Sequence, residues 1–167
     1  MELLRGLQTG ELERVSRGVY MSPAELDDVM YIAQLRRPKI VFSHDSALLL
    51  HDLTDRYPLS HTVTVPTGYN TKPLTDDGFT TFSVKRGLFE QDVVKLQTPL
   101  GHTVSVYGLE RTIVDCVRSR SRMDAEIVTG AIKRYAGKTD KNLGNLMDIA
   151  EQFGVTKLIR TYMEVLL

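Results

Sequence analysis

The sequence is almost without cysteine: among its 167 residues only Cys116 carries a thiol. That excludes an internal disulfide framework and a cysteine-based zinc cluster. Net charge is missing too, since 21 lysines and arginines face 21 aspartates and glutamates. Such a chain can hold nucleic acid or an anionic membrane only through a local patch. No apolar run approaches the ~20 residues of a membrane span, and the opening Met1-Glu2-Leu3-Leu4-Arg5 lacks the charged-then-apolar pattern of a secretion signal. These absences predict a soluble, cytoplasmic chain with no membrane partner.

Familiar catalytic motifs are absent as well. There is no G-x-x-x-x-G-K-[ST] loop, no G-x-G-x-x-G opening a helix after a strand, and no G-x-S-x-G elbow. Nucleotide hydrolysis and acyl transfer thereby lose their usual anchors. The histidines His44, His51, His61 and His102 form no spaced metal motif, and His44 and His51 stand two helical turns apart, too far to share a metal without a third ligand. No metal or cofactor is expected, and no catalytic residue. Cys116 falls on the apolar side of a predicted helix, where a thiol is raised in pKa and inert.

What is present is organised around residues 40–53, IVFSHDSALLLHDL. Ile40-Val41-Phe42 is a strand-like run after Pro38, which closes any preceding helix. Ser43 as N-cap, Asp45 in the first turn and the helix formers Ala47 to Leu50 predict a helix from Ser43 to about Asp52. Four successive apolar positions predict that it is buried on most of its circumference, as the central helix of the domain.

Upstream, Leu3, Leu4 and Leu7 read as the last turns of an amphipathic helix closed by Gly10, followed by alternation through Leu12, Val15, Val19 and Met21. A helix running into a short basic hairpin is the back half of a winged helix-turn-helix, although by pattern alone an ordinary helix and edge strand is the commoner source of it. Ser22-Pro23-Ala24-Glu25 predicts a capping-box helix start, with Leu26, Val29, Met30 and Ala33 on one face up to about Arg36. Downstream, residues 61–66 and 79–84 alternate as strands around a turn-rich segment, and 93–98 with 102–107 read as a hairpin. From Gly108 the periodicity is helical. One helix carries Leu109, Ile113, Cys116 and Val117 with Arg111 and Asp115 spaced i, i+4. A second starts at a Ser121/Asp124 capping box and runs to Gly137, a third ends at Gly154 and a fourth reaches Leu166. The expected fold is α+β: a partial winged-helix remnant, then a mixed domain with a central, mainly antiparallel sheet and a helical C-terminal half.

Within 118–141, Arg118, Arg120, Arg122, Lys133, Arg134, Lys138 and Lys141 outnumber Asp124, Glu126 and Asp140, giving a local charge of +4. Such a segment can hold a nucleic-acid backbone or an acidic partner, or form a solvated helix junction. Glu90 and Asp92 beside Lys95 resemble a nuclease metal cluster in residue type, but their order does not fit one.

Taken together, ELERVSRGVY at 11–20, VFSHDSALLLHDL at 41–53, HTVTVP at 61–66 and GLERTIVDCV at 108–117 resemble the AbiEi family of antitoxins from type IV toxin–antitoxin, abortive-infection systems. The resemblance covers nearly the whole chain. It implies the end of a DNA-binding, transcription-repressing winged helix at 1–21 and an antitoxin domain at 22–167. The implied partners are a nucleotidyltransferase-like toxin, operator DNA where the winged helix is complete, and RNA through the toxin's target. Arg5, Arg14 and Arg17 become phosphate contacts of the recognition-helix end and wing. Ser46, with Ala47 and Leu48, matches the central antitoxin helix, and Arg111 and Asp115 match the later motif, as a partner contact or as a structural pair. With Arg118, Arg120, Arg122, Lys133 and Arg134 they make up the expected partner surface. The chain departs from the family in keeping only Leu3 to Gln8 of the recognition helix, which leaves a wing that contacts phosphate but reads few bases. The rival expectations are a DNA-binding regulator without antitoxin function and a nuclease-like enzyme using Glu90, Asp92 and Lys95.

Overall fold

In a computed structural model, which describes residues 1–23 and 28–167, the N-terminal helix α1 (Glu2–Thr9) ends at Gly10, in the left-handed conformation with φ 74°. A residue without Cβ enters that region at no steric cost. Leu12 then folds back over Gly6, where an added Cβ would lie 2.7 Å from its side chain. Strands β1 (Glu13–Ser16) and β2 (Val19–Met21) form an antiparallel hairpin with an irregularity between Arg14 and Ser16. The helix and hairpin anticipated for this segment are present, and nothing in their geometry distinguishes a wing from an ordinary edge hairpin. The hairpin is tied to the rest of the chain: Val15 and Met21 are buried, and Arg36 Nε donates to Val15 O at 3.1 Å.

The expected Ser22-Pro23-Ala24-Glu25 start, with Leu26, falls partly on residues 24–27, outside the described residues. Helix α2 (Val29–Arg36) is capped by Asp28, whose carboxylate accepts from Tyr31 N at 3.1 Å, and stops before Pro38 as anticipated. Next come β3 (Val41–Phe42), α3 (His44–Leu50), β4 (Thr62–Pro66), α4 (Lys72–Asp76), β5 (Thr80–Val84), α5 (Arg86–Phe89), β6 (Val93–Gln97) and β7 (Thr103–Tyr107). The five-stranded sheet has the order β5-β4-β3-β7-β6. Pairs β3/β4 and β6/β7 are antiparallel, whereas β4/β5 and β3/β7 are parallel. The sheet is therefore mixed rather than mainly antiparallel. Parallel neighbours need a crossover, and α4, inside the segment expected to be only turns, belongs to the β4–β5 crossover with Leu74 fully buried.

The C-terminal half is helical: α6 (Leu109–Arg118), a 3₁₀ turn over Arg120–Arg122, α7 (Ala125–Gly137), α8 (Leu143–Gln152) and α9 (Thr156–Leu166). The capping box expected from Ser121 does not form, because Ser121 lies in the 3₁₀ turn. Asp124 is itself the N-cap, accepting from Glu126 N at 2.8 Å. Together the elements make an α+β fold. Among the described residues no helix is long and apolar enough to cross a membrane.

Two apolar clusters meet at α3. One joins Met30, Phe42, Val63, Val65 and Val106 between α2 and the sheet and includes Ala47; the other joins Ile113, Val117, Ile132, Leu146 and Ile159 among the helices and includes Leu48. Adjacent residues of one short helix thus enter separate cores, which is the burial that the unbroken apolar run predicted. Cys116 also lies in the helical core, and burial pushes its thiol pKa up, as its position on the helix implied. Replacing Leu48 by Ala removes a fully buried side chain from this junction. The expected loss of unfolding free energy is about 2–5 kcal/mol, read by chemical denaturation.

Candidate functional site

Helix α6 begins at Gly108, whose N–H donates to Asp92 O at 2.7 Å. A Cβ there would sit 3.3 Å from the same carbonyl, so glycine lets the helix start against the β6 approach. One turn in, Arg111 is completely buried. Its guanidinium lies between the rings of Tyr107 and Phe153, with Cζ 4.0 and 4.4 Å from their centroids. Nε donates to both carboxylate oxygens of Asp115 at 3.1 Å, and Nη1 to Leu88 O at 2.9 Å and Gln91 O at 3.1 Å. Nη2 is buried and has no acceptor among the described residues. Burial raises the Asp115 pKa to about 6 against the opposing pull of Arg111. The i, i+4 spacing correctly marked a pair, but Arg111 and Asp115 are not part of a partner surface. Their charges face each other inside the fold, where removing one partner leaves the other uncompensated.

Ser46 is also removed from the expected surface, because it is fully buried. Its Oγ accepts from Thr62 N at 2.8 Å and lies 3.2 Å from His61 Nδ1, while its N–H donates to Thr62 Oγ1 at 3.0 Å. Ser43 occupies the N-cap position, but its hydroxyl makes no cap bond. It accepts from Thr64 Oγ1 at 2.8 Å and meets His44 Nδ1 at 2.9 Å. A polar seam therefore pins α3 to β4 through backbone and hydroxyl groups.

His44 closes that seam on its outer side. Its φ of 47° lies in the left-handed region, which residues other than glycine adopt uncommonly. The ring stacks on Phe82 at 3.6 Å, and Nε2 lies 3.0 Å from Ser119 Oγ, 75 residues away in sequence. Burial, followed by the charges of Arg122, Arg111 and Arg118, lowers the His44 pKa from 6.5 to about 3. This convergence escaped sequence reasoning. Only the position of a histidine at the first turn of a buried helix hinted at it.

The basic segment divides in two. Arg134 pairs with Asp55, Lys138 Nζ lies 3.9 Å from Asp140, Lys141 donates to Lys138 O, and Lys133 is exposed. Around the 3₁₀ turn, Arg118, Arg120 and Arg122 form no ion pair with a carboxylate among the described residues. They contact instead Phe153 (Arg118), Val117 O (Arg120), and the Phe82 ring and Thr81 O (Arg122). Arg5, Arg14 and Arg17 are exposed on α1 and the hairpin, with Arg14 Nε donating to Ser16 O. Of Glu90, Asp92 and Lys95, Lys95 Nζ donates to Ser105 Oγ at 2.6 Å and Asp92 is a turn residue with φ 59°. Among the described residues no group of three or more His, Cys, Asp or Glu could hold a metal ion.

No protein-family model matches the sequence, and no curated protein is found similar to it. Among solved structures, the chain is similar to the crystal structure of RV2827C protein from Mycobacterium tuberculosis. The TM-score is 0.57 at 10% identity, over 98% of this chain and 68% of that one. At that identity the likeness is one of fold.

Two measurements test this geometry. Asp115→Ala should cost about 3–5 kcal/mol of unfolding free energy, and Arg111→Met with Asp115→Leu should recover most of it, because the double change leaves no unpaired charge. In an NMR titration the His44 ring should remain neutral until the pH nears 3. Its folded pKa lies below the unfolded value, so its contribution to stability is complete above pH 6.5 and lost as the pH falls toward 3. The slope is up to about 1.4 kcal/mol per pH unit, and it should vanish in His44→Gln.

Proposed function

We propose that this chain is an antitoxin of the AbiEi type that neutralises a nucleotidyltransferase-like toxin in the cytoplasm, without enzymatic activity of its own. The observation that carries the reading is the joint presence, in one order along the chain, of ELERVSRGVY, VFSHDSALLLHDL, HTVTVP and GLERTIVDCV. Supporting it, the last three of these motifs are parts of one connected interior. His51, the C-cap of α3, meets Tyr107 O at 2.7 Å, the Ser46 seam ties α3 to β4, and Leu48 packs with Ile113 and Val117. Residues that share a core in this way form a pattern that specifies a fold, and the interaction surface then belongs to the exterior. The exposed cations without carboxylate partners around the 3₁₀ turn are the natural face for an acidic protein or for RNA bound by the toxin.

A second activity, binding to operator DNA with autorepression, is favoured by a separate observation: Arg5, Arg14 and Arg17 are all exposed on α1 and the hairpin. These are cations of the kind that contact phosphate, and their contribution is steeply salt-dependent.

Co-expression with the neighbouring nucleotidyltransferase-like gene tests both. The chain should restore growth, and Arg5→Ala, Arg14→Ala and Arg17→Ala together should leave rescue intact while removing a salt-sensitive gel shift on the upstream operator. Failure of the unmodified chain to restore growth overturns the antitoxin reading. A gel shift unchanged by the three substitutions overturns the DNA contacts.

A further inference from the structure

Between the outer end of the sheet and the α6–α7 connection lies a cavity of about 220 Å³, bordered by His44, Phe82, Arg118, Ser119, Ser121 and Arg122. The volume is below the ~300–1,000 Å³ usual for a drug-sized or cofactor ligand, so it suits a small group. We infer that this cavity is a binding site for a phosphate group, held by the guanidinium groups of Arg118 and Arg122 and the hydroxyls of Ser119 and Ser121. The inference goes beyond the antitoxin reading and does not depend on it.

Charge gives the first argument. Neither arginine forms an ion pair among the described residues, and Asp115, the carboxylate at the cavity edge, is already bound by Arg111. Two positive charges are therefore left for a ligand. Arg122 is held in place by the face of Phe82, 4.1 Å from Cζ, and spends Nη2 on Thr81 O at 3.3 Å. Arg118 rests against Phe153 with no hydrogen bond of its own to a protein acceptor among the described residues. A guanidinium carries five N–H donors, so most of the donors on both remain free.

Hydrogen-bond direction gives the second. Ser43 Oγ accepts from Thr64 Oγ1 and lies 2.9 Å from His44 Nδ1, and in one of the two neutral tautomers of the ring the Ser43 hydroxyl donates to that nitrogen. A neutral imidazole that accepts at Nδ1 carries its proton on Nε2 and donates it to Ser119 Oγ, 3.0 Å away. The Ser119 proton is then free to point into the cavity. His44, held by stacking on Phe82, is in that tautomer a positioning residue that makes Ser119 a donor. Two guanidinium groups and two hydroxyls offer more donors than the two oxygens of a carboxylate can use. A tetrahedral phosphate matches them.

The same phosphate chemistry could come from inorganic phosphate or from the phosphate of a nucleotide, and one titration separates them. The full chain is titrated at low salt with inorganic phosphate, adenosine monophosphate and adenosine, following the His44 ring and the Ser119 and Ser121 amides by NMR. Both phosphates should shift these signals, and adenosine should not. Tighter binding of the monophosphate identifies a nucleotide source; equal binding identifies inorganic phosphate. Arg118→Gln with Arg122→Gln should weaken binding about tenfold or more, whereas Arg134→Gln, whose partner is Asp55, should leave it unchanged. His44→Gln should reduce affinity less than the double arginine change. Absence of shifts with either phosphate, or affinity retained in the folded double variant, overturns the site.

Discussion

The buried guanidinium of Arg111 is the contact on which the two halves of this fold depend. Through Nη1 it holds the backbone at Leu88 and Gln91, between the sheet strands β5 and β6, and through its two faces it joins Tyr107 at the end of β7 to Phe153 at the end of α8. Tyr107 is itself anchored by its hydroxyl, which donates to Phe89 O at 2.7 Å. Burying a guanidinium is costly, and Asp115, two backbone carbonyls and two aromatic faces offset the cost while leaving Nη2 without an acceptor among the described residues. Such an arrangement specifies geometry more than it adds stability, because a planar fork with stacked faces tolerates one orientation.

Around that contact, α3 supplies the second constraint. Ala47 faces the sheet core and Leu48 the helical core, so the polar residues beside them have no route to solvent. Ser43 and Ser46 meet this by bonding to the β4 threonines, and His44 by stacking on Phe82 and bonding to Ser119. The motif residues that suggest a family are therefore mostly interior. The expected site residues that remain at the surface include the arginines of the 3₁₀ turn, Lys133 and the exposed cations of α1 and the N-terminal hairpin.

Much of this architecture was legible in the sequence where local chemistry and tertiary packing agree. The i, i+4 pair on α6 and the alternation of β4 to β7 point to the elements that form, whereas α7 starts at Asp124 rather than from a Ser121 capping box. Direction of pairing was not legible, because alternating strands look alike in parallel and antiparallel ladders. Helix α4 was hidden since Thr71, Pro73, Asp76, Asp77 and Gly78 are turn formers, and only the burial of Leu74 reveals why the segment coils. Charged residues are ordinarily surface residues, so the sequence left Arg111 and Asp115 open between a partner contact and a structural pair, and burial makes them the second. The His44–Ser119 contact spans 75 residues, and no periodic signal connects its ends.

If Arg111 couples the sheet to the helical half, loosening it must loosen both sides together. Hydrogen exchange on Arg111→Lys, which keeps the charge but loses the fork and the stacked faces, measures this directly. The amides of 88–92 and those of 146–153 should exchange faster by a common factor, while the β4/β5 ladder keeps its protection. Unchanged exchange in both segments, or acceleration in one without the other, would contradict the account.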